Sequence, residues 1–243
     1  MNLLFTICAR AGSKGLASKN IRILNNHPLC YYTIQAYEKF KETYGENYSE
    51  IDLSVNTDSI ELISQVESIG VEYIRAGRKE ELAGDSVSKI DVIKDTLKQA
   101  ETTSKKVYDV IIDLDLTSPL RTHKDICTAL DLLLEDELTD VVFSAVPSRR
   151  NPWFNMVAKR EDGYYSSVNA GKYVTRQSTP ECLDMNASIY AYRRGFLINQ
   201  DKVHLFDGKA KAFLMEDWGV LDIDNEKDFL LLELIQKHMF DNQ

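Results

Sequence analysis

Short apolar runs alternate with amphipathic stretches through the first half of the chain and beyond. The runs predict buried strands, and apolar positions at helical spacing between them predict amphipathic helices. Regular alternation of this kind predicts βαβ units, and so a doubly wound α/β fold with a mostly parallel, Rossmann-like sheet that binds ligands at the carboxyl ends of its strands. The predicted strands span residues 3–9, 51–55, 71–74, 110–114 and 141–146, and the predicted helices begin at Pro28, Ser59, Ser88 and Thr122.

The alternation stops after Pro147. Residues 148–186 are polar and aromatic, with residues such as Trp153, Tyr164 and Tyr173 at loose strand-like spacing. We interpret this segment as an extended, β-rich arm inserted into a single domain of residues 1–243. Residues 189–192 are predicted to return to the core, and a helix over 226–240, capped by Asn225, closes the domain.

Composition and charge narrow the classes of function. The chain has 243 residues, 44% of them hydrophobic, and a formal net charge of -9. That charge disfavours nucleic acids and anionic membranes as partners, so an anionic substrate would need locally concentrated positive charge. No stretch approaches the ~20 apolar residues of a membrane helix, and the start lacks the basic region of a signal peptide. Four widely spaced cysteines without a CxxC pair indicate a reduced, cytoplasmic protein: Cys8, Cys30, Cys127 and Cys182.

The loop after the first predicted strand combines glycines with clustered cations. Residues 9–15 have the sequence ARAGSKG, and Lys19 and Asn20 follow. Glycines allow a loop to wrap closely around a ligand, and backbone N–H groups together with Arg and Lys can bind a triphosphate. The spacings of a Walker A loop and of a GxGxxG dinucleotide loop are both absent. The pattern favours a phosphate-binding loop over a solvated basic loop.

Two further segments carry candidate chemistry. Asp222 and Asp224 are separated by one residue, and in a strand they would face the same side and could share a Mg²⁺ ion. The alternative is a strand end beside a helix cap, but a nearby triphosphate loop favours the metal because nucleotidyl transfer normally needs magnesium. Residues 117–121 (TSPLR) follow the fourth strand, and there a ligand site and a simple Pro-containing turn with a helix cap are equally compatible with the pattern.

Six motifs, taken in order, resemble those of the CMP–sialic acid synthetase family, which also includes the CMP–Kdo synthetases. They are ICARAGSKGLASKN at 7–20, NTD at 56–58, RKEELAGD at 78–85, TSPLR at 117–121, NASIY at 186–190 and DID at 222–224. Together they extend over nearly the whole chain. The resemblance implies a magnesium-dependent transferase that joins CMP from CTP to an acidic sugar related to sialic acid.

The resemblance also implies roles for individual positions. Arg10 and Lys19 would be catalytic cations, and Asp222 and Asp224 catalytic ligands of Mg²⁺. The arm would form a homodimer and complete the sugar site of the partner protomer. The implied nucleotide-binding residues are Ala9, Arg10, Gly12, Ser13, Lys14, Lys19, Asn20, Arg78 and Asp85. The implied sugar-binding residues are Asp115, Thr117, Ser118, Arg121, Arg176 and Asn186.

Departures from the family pattern fall in the implied sugar pocket. Members that act on N-acetylneuraminate usually have Gln in place of Asp115, Arg in place of Asp184 and Lys near the position of Phe154. Residues 149–155 and 175–190 resemble instead the branch that activates legionaminic acid, a bacterial nine-carbon relative of sialic acid. Legionaminic acid is therefore the expected acceptor. The alternatives are N-acetylneuraminate, more distantly Kdo, and, from another class, a nucleotide-binding regulator without turnover. The four histidines are scattered, and no side-chain base is assigned.

Overall fold

The computed structural model describes residues 1–12, 16, 18–84, 87–216, 218, 221 and 223–241. For residues 239–241 it describes the backbone alone. The strands are β1 (Asn2–Cys8), β2 (Ile23–Leu24), β3 (His27–Pro28), β4 (Glu50–Thr57), β5 (Ile74–Gly77), β6 (Val110–Leu114), β7 (Val141–Pro147), β8 (Val157–Lys159), β9 (Tyr165–Ser167), β10 (Leu183–Arg193) and β11 (Ala210–Leu214). The helices are α1 (Leu29–Tyr44), α2 (Ile60–Ile69), α3 (Lys89–Ser104), α4 (His123–Leu134), α5 (Arg194–Ile198) and α6 (Glu226–Asp241). No helix in this described part of the chain has the length and apolar character to span a membrane.

Seven strands form one sheet, in the order β11–β7–β10–β6–β1–β4–β5. Neighbouring strands are parallel except at β10, which runs antiparallel to both β6 and β7. Parallel strands need crossover connections, which α1 and α2 supply around β4 and α3 supplies before β6. The predicted mostly parallel, doubly wound α/β sheet is confirmed.

The sheet has helices on both faces because its strands are apolar on both sides. In β1 the five central residues are buried, as expected for a parallel strand covered by helices above and below. Phe5 packs in one core cluster with residues of α1, α2, α4 and α6. Leu4, its neighbour, belongs to a second cluster with α3 and α5. Each successive side chain of β1 therefore joins the opposite core layer.

Local signals explain where several helices begin. Thr122 and Asp125 form a reciprocal capping box at the start of α4, as predicted. Ser88 caps α3 by accepting a hydrogen bond from the Ile90 amide at 3.2 Å.

The third predicted strand, expected over residues 71–74, corresponds to β5, which begins only at Ile74. Gly70 ends α2 with a positive φ of 83°, and the next residues carry the chain from the helix back to the sheet.

Residues 148–186 leave the sheet and return to it through two adjacent strands. The regular structure within them is mainly the short β8–β9 hairpin, and much of the remainder is irregular. Strand β10 begins at Leu183, inside the predicted arm, and Leu183 pairs with Pro147 of β7. The arm thus connects the paired ends of β7 and β10, which are antiparallel neighbours in the sheet. The pattern analysis did not predict α5 or β11.

Candidate active site

A cavity of 350 Å³ opens where the chain leaves the carboxyl ends of β1, β5 and β6. This is the edge of the sheet where a doubly wound fold binds ligands. The predicted site residues that line it are Ala9, Arg10, Lys19, Asn20, Arg78, Asp115 and Thr117. The end of β1 and the loops after β1, β5 and β6 thus line one cavity, which brings together residues from three separate motifs.

The glycine-containing loop after β1 is held by the end of the neighbouring strand β4. The Ala9 amide donates to the Asn56 carbonyl at 3.0 Å, and the Ala11 amide donates to Asp58 Oδ1 at 2.6 Å. Gly12 then adopts a φ of 70°, a conformation that strains residues with a side chain. It contributes to a smaller recess that adjoins the cavity along Arg10, Lys19 and Asn20. Ser13 and Lys14 lie outside the described residues.

Three of the predicted cations line the cavity. Arg10 Nη1 donates to the Ala83 carbonyl at 3.1 Å, while Arg78 Nε donates to Asn56 Oδ1 at 2.8 Å. Lys19, within the same loop as Arg10, lies 3.5 Å from an oxygen of Asp224. In a chain with a net charge of -9, this is the local positive charge that an anionic ligand requires. Asn20 supports it by donating to the Arg10 carbonyl at 2.9 Å.

The predicted metal pair is only partly described. Asp222 and the nucleotide residue Asp85 lie outside the described residues. Ile223 and Asp224 belong to no strand, so the expected alternation along a strand is wrong for these two residues. The chain turns there into the first turn of α6, where the Asp224 amide donates to Asp228 Oδ2 at 3.1 Å. The described residues contain no cluster of three or more metal-ligand side chains.

Asp224 nevertheless suits a magnesium ion chemically. Its side chain is 77% exposed and presents a carboxylate, the hard oxygen donor that Mg²⁺ prefers, beside the cavity-lining Lys19. The residue therefore fits one half of the predicted metal site.

Lys89 is a cavity residue that the sequence analysis missed. Its Nζ lies 2.9 Å from Asp113 Oδ2 and 2.9 Å from Asp115 Oδ2. Burial opposes its positive charge, but the two carboxylates outweigh burial and raise the pKa of Lys89 well above its ordinary value. Two signals could have revealed it: a charged Asp113 inside the apolar run VIIDL, and a lysine at the first position of a helix.

Asp115 lies in the cavity as an ionised carboxylate. Its Oδ1 accepts hydrogen bonds from the Thr117 amide at 3.0 Å and the Thr117 hydroxyl at 2.7 Å. Burial favours the protonated acid, but Lys89 and the Thr117 donors outweigh burial and lower the pKa of Asp115. Both carboxylate oxygens therefore have partners.

Three other predicted sugar residues are buried and do not line this cavity. Arg121 is 5% exposed and donates to Ser188 Oγ at 3.1 Å, to Thr33 Oγ1 at 2.9 Å and to the Asp115 carbonyl. Asn186 and Ser118 are each 4% exposed. The guanidinium binds oxygens on α1, β10 and the loop after β6. These bonds fix that loop to the core of the domain. Arg121 therefore supports the cavity wall.

The predicted sugar residue of the arm lies at a different place. Arg176 is exposed and lines a cavity of 410 Å³ at the base of the arm, with Ser148, Asn151 and Thr179. Its guanidinium donates to the Ser148 carbonyl. Within one chain, the structure does not bring Arg176 into the cavity that contains Asp115.

A family model described as cytidylyltransferase matches residues 4–241. The chain belongs to the cytidylyltransferase family. The predicted resemblance and the predicted enzyme class are confirmed, because this match extends over nearly the whole chain and over all six motifs.

Relatives in bacteria resemble this cytidylyltransferase over nearly its full length. It is 38% identical over 235 residues to post-translational flagellin modification protein B of Campylobacter coli, covering 97% of this chain and 95% of the relative. It is 37% identical over 236 residues to CMP-N,N'-diacetyllegionaminic acid synthase of Campylobacter jejuni, covering 96% and 94%. Identity to the N-acylneuraminate cytidylyltransferase of Escherichia coli is 30% over 239 residues, covering 97% of this chain and 52% of that protein.

Solved structures with this fold are more distant in sequence. A CMP:2-keto-3-deoxy-manno-octonic acid synthetase complexed with CTP aligns with a TM-score of 0.68 at 17% identity, covering 98% of this chain and 100% of that one. A 4-diphosphocytidyl-2C-methyl-D-erythritol synthase of Anaerococcus prevotii aligns with a TM-score of 0.59 at 14% identity, covering 97% and 96%. These likenesses confirm the nucleotidyltransferase fold.

Proposed function

We propose that this cytidylyltransferase transfers CMP from CTP to a nine-carbon 2-keto-3-deoxy sugar acid, N,N'-diacetyllegionaminic acid, and releases pyrophosphate. One observation carries the proposal: Arg10, Lys19 and Arg78 line the same cavity as the Asp115–Lys89 pair. The three cations suit a triphosphate, and the Asp115–Lys89 pair suits hydroxyl and amide groups of a sugar. The 37% identity to a CMP-N,N'-diacetyllegionaminic acid synthase supports the choice of sugar.

In the proposed reaction the anomeric 2-hydroxyl oxygen of the sugar attacks the α-phosphorus of CTP. An oxygen–phosphorus bond forms to the sugar, the bond from the α-phosphorus to the bridging oxygen breaks, and the hydroxyl proton passes to water. Arg10 and Lys19 stabilise the negative charge that develops on the departing pyrophosphate. The loop after β1 holds the nucleotide in line with the attacking oxygen, which is the main catalytic contribution of such a site.

We also propose that Asp224, together with Asp222, holds a Mg²⁺ ion. When bound, Mg²⁺ neutralises phosphate charge and lowers the pKa of the attacking hydroxyl. Asp224 supports this role because its exposed carboxylate lies beside Lys19, at the phosphate side of the cavity.

For the sugar, we propose that Asp115 and residues 149–155 select the acceptor. Asp115 is an ionised group in the cavity where related N-acetylneuraminate enzymes have a neutral Gln. N-acetylneuraminate itself is the second candidate acceptor, supported by the 30% identity to the Escherichia coli N-acylneuraminate cytidylyltransferase.

We propose that residues 1–243 form one domain that assembles as a homodimer through residues 148–186. The arm leaves large apolar side chains in solvent, with Val157, Tyr164, Tyr165 and Val174 between 61% and 88% exposed. A segment that exposes several large apolar side chains is typical of an association surface. A second copy of the chain would cover it and bring an arm toward the sugar end of the cavity. The four free cysteines are consistent with a reducing compartment, and we propose the cytoplasm.

Pyrophosphate release from CTP tests the function directly. The purified protein is assayed with N,N'-diacetyllegionaminate, N-acetylneuraminate and Kdo, in the presence of Mg²⁺. We expect the highest kcat/KM with N,N'-diacetyllegionaminate. A higher value with N-acetylneuraminate would select the second candidate, and release with Kdo alone would overturn the nine-carbon assignment. CTP binding without release for any acid would contradict CMP transfer to this class of sugar.

A further inference from the structure

We propose that Lys89 is a positioning residue for the acceptor, because it holds the Asp115 carboxylate that faces the sugar and offsets part of the negative charge there. The inference rests on the proposed function and deepens it by assigning a second residue to acceptor recognition. Lys89 does so from α3, an element outside all six family motifs.

Lys89 is held by groups on β6, on the loop after β6 and on β10. Asp113 lies on β6 with a side chain that is 1% exposed, and its Oδ1 accepts a hydrogen bond from Thr6 Oγ1 at 2.7 Å. Its Oδ2 and the Asp115 Oδ2 each lie 2.9 Å from Lys89 Nζ. The Tyr190 ring of β10 lies on another side, with its centroid 4.9 Å from the nitrogen. The ammonium group is thus held by contacts from several directions.

The position is unfavourable for a lysine unless these partners are present. Lys89 is the first residue of α3, where the positive end of the helix dipole opposes a cation. Asp113 and Asp115 are two residues apart along the strand direction, so their carboxylates face the same side. Without a cation between them, two partly desolvated carboxylates would repel each other. The lysine and the two aspartates therefore form one electrostatic unit.

This unit decides what an anionic substrate meets at the sugar end of the cavity. Lys89 keeps 35% of its side chain exposed and lines the cavity together with Asp115. An unpaired Asp115 would repel both the triphosphate and the carboxylate of a sugar acid. Lys89 offsets one of the two aspartate charges and fixes Oδ2 of Asp115, so Asp115 presents an oriented carboxylate that can bind hydroxyl and amide groups. Thr117 fixes the second oxygen of Asp115, so the orientation of the pair is set before the substrate arrives.

A double-mutant cycle on Lys89→Met and Asp115→Asn tests the proposal. We measure the KM of the sugar by pyrophosphate release and the Kd of CTP by calorimetry without sugar. Either substitution alone should raise the sugar KM by about tenfold, the loss expected for a charged hydrogen bond, with a much smaller change in the Kd of CTP. The double variant should be no worse than the more impaired single variant, because both act through the same pair. Lys89→Arg should recover part of the loss.

Two controls separate this role from a merely structural one. Lys98→Met changes an exposed lysine on the same helix and should leave both constants unchanged. Because Lys89→Met leaves the buried Asp113 uncompensated, the cycle is repeated in an Asp113→Asn background, in which that charge is absent. In either background, multiplicative effects on the sugar KM, or an equal change in the Kd of CTP, would overturn the proposal. An unchanged sugar KM in Lys89→Met would overturn it as well.

The cycle uses whichever sugar acid the wild-type protein turns over fastest. A preference for another acid would then overturn the proposed substrate without affecting the test of Lys89. Conversely, an uncoupled cycle would overturn the role of Lys89 while the proposed CMP transfer stands.

Discussion

Arg22 and Glu226 form a two-point ion pair between the loop after β1 and the first residue of α6. Arg22 Nη1 lies 2.5 Å from Glu226 Oε2, and Nη2 lies 2.8 Å from Oε1. The guanidinium also lies over the ring of Phe229, 4.1 Å from its centroid. Lys19, three residues before Arg22, lies 3.5 Å from Asp224, two residues before Glu226. The pair therefore fixes the cationic loop against the segment that carries the proposed metal ligand.

We expect Arg22→Met to lower kcat/KM for CTP about tenfold, because small displacements of a positioned site are costly for catalysis. The melting temperature should change little, since an exposed ion pair contributes little to stability. Lys39→Met is the matched control, because it removes another exposed ion pair, with Glu42 on α1. Equal effects of the two substitutions on kcat/KM would contradict a positioning role for Arg22.

Arg78→Lys should raise the KM of CTP by about tenfold although it keeps the positive charge. The guanidinium uses Nε to bind Asn56 and Nη1 to bind the Leu82 carbonyl at 3.4 Å, and a single ammonium group cannot reproduce that fork. Initial-rate kinetics at saturating sugar measure the change. Arg75→Lys, an exposed arginine on β5, serves as the control and should behave as wild type. A wild-type KM for Arg78→Lys would show that charge alone suffices there.

Asp115→Asn should destabilise the fold by about 1.5–3 kcal/mol at pH 7, the range for a hydrogen bond to a charged group. The pKa of Asp115 is lower in the folded state, so its ionised form stabilises the fold above the ordinary carboxyl pKa of about 3.9. That contribution is lost as the pH falls toward the lower folded pKa. Denaturant unfolding at pH 7 and pH 3.5 should therefore show a smaller difference between variant and wild type at the lower pH. A difference that does not narrow would contradict this assignment.

The pKa of Lys89 is raised in the folded state, so its contribution to stability depends on pH in the opposite direction to that of Asp115. Its contribution is complete below the ordinary lysine pKa of about 10.4 and is lost as the pH rises through the higher folded value. Between about pH 5 and pH 9, both partners are charged and the stability due to the pair should be constant.

Arg121→Met should lower the free energy of unfolding by about 3 kcal/mol, because it leaves three buried or partly buried oxygen acceptors without their donor. Chemical denaturation measures the loss. Arg160→Met removes an exposed arginine of the arm, paired with Asp162, and should have no measurable effect on stability. If Arg121→Met were as stable as wild type but impaired in sugar KM, Arg121 would be a ligand contact rather than a support of the cavity wall.

Val174→Glu tests the proposed dimer. Val174 is 88% exposed in the single chain, and placing a carboxylate in an interface should weaken the dimer by about tenfold or more. Sedimentation velocity over a range of concentrations measures the shift toward monomer. Val107→Glu, at a residue that is 58% exposed beside β6, is the control. A wild-type protein that is monomeric at all concentrations would contradict assembly through the arm.

The apolar periodicity was sufficient to predict most of the central sheet. The strands β1, β4, β6 and β7 are short buried runs between amphipathic helices, and this pattern is local. Strand β11 was missed because AKAFL at the edge of the sheet buries only Phe213 fully, so its pattern is weak. The five-residue α5 is too short for a periodic signal.

The cationic half of the site was predictable because its residues lie in motifs directly after strands. The Lys89 unit was not, since it joins α3 to β6 and depends on which side chains meet across the sheet edge. The direction in which a side chain points also cannot be predicted from the sequence motif. Arg121 belongs to a recognisable TSPLR motif, yet only the fold reveals that its guanidinium is directed into the core.

The pairing of Leu183 with Pro147 has a consequence for how acceptor preference can evolve. Residues 148–182 begin and end at one point on two hydrogen-bonded strands, so they can lengthen, shorten or be exchanged without altering the register of the sheet. The proposed nucleotide-binding residues follow β1 and β5, toward the opposite edge of the sheet from β7 and β10. We therefore expect the arm to change among relatives, and with it the proposed contribution of residues 149–155 to acceptor choice, while the strands beside the proposed nucleotide site stay the same. Grafting the arm between relatives is the corresponding engineering route.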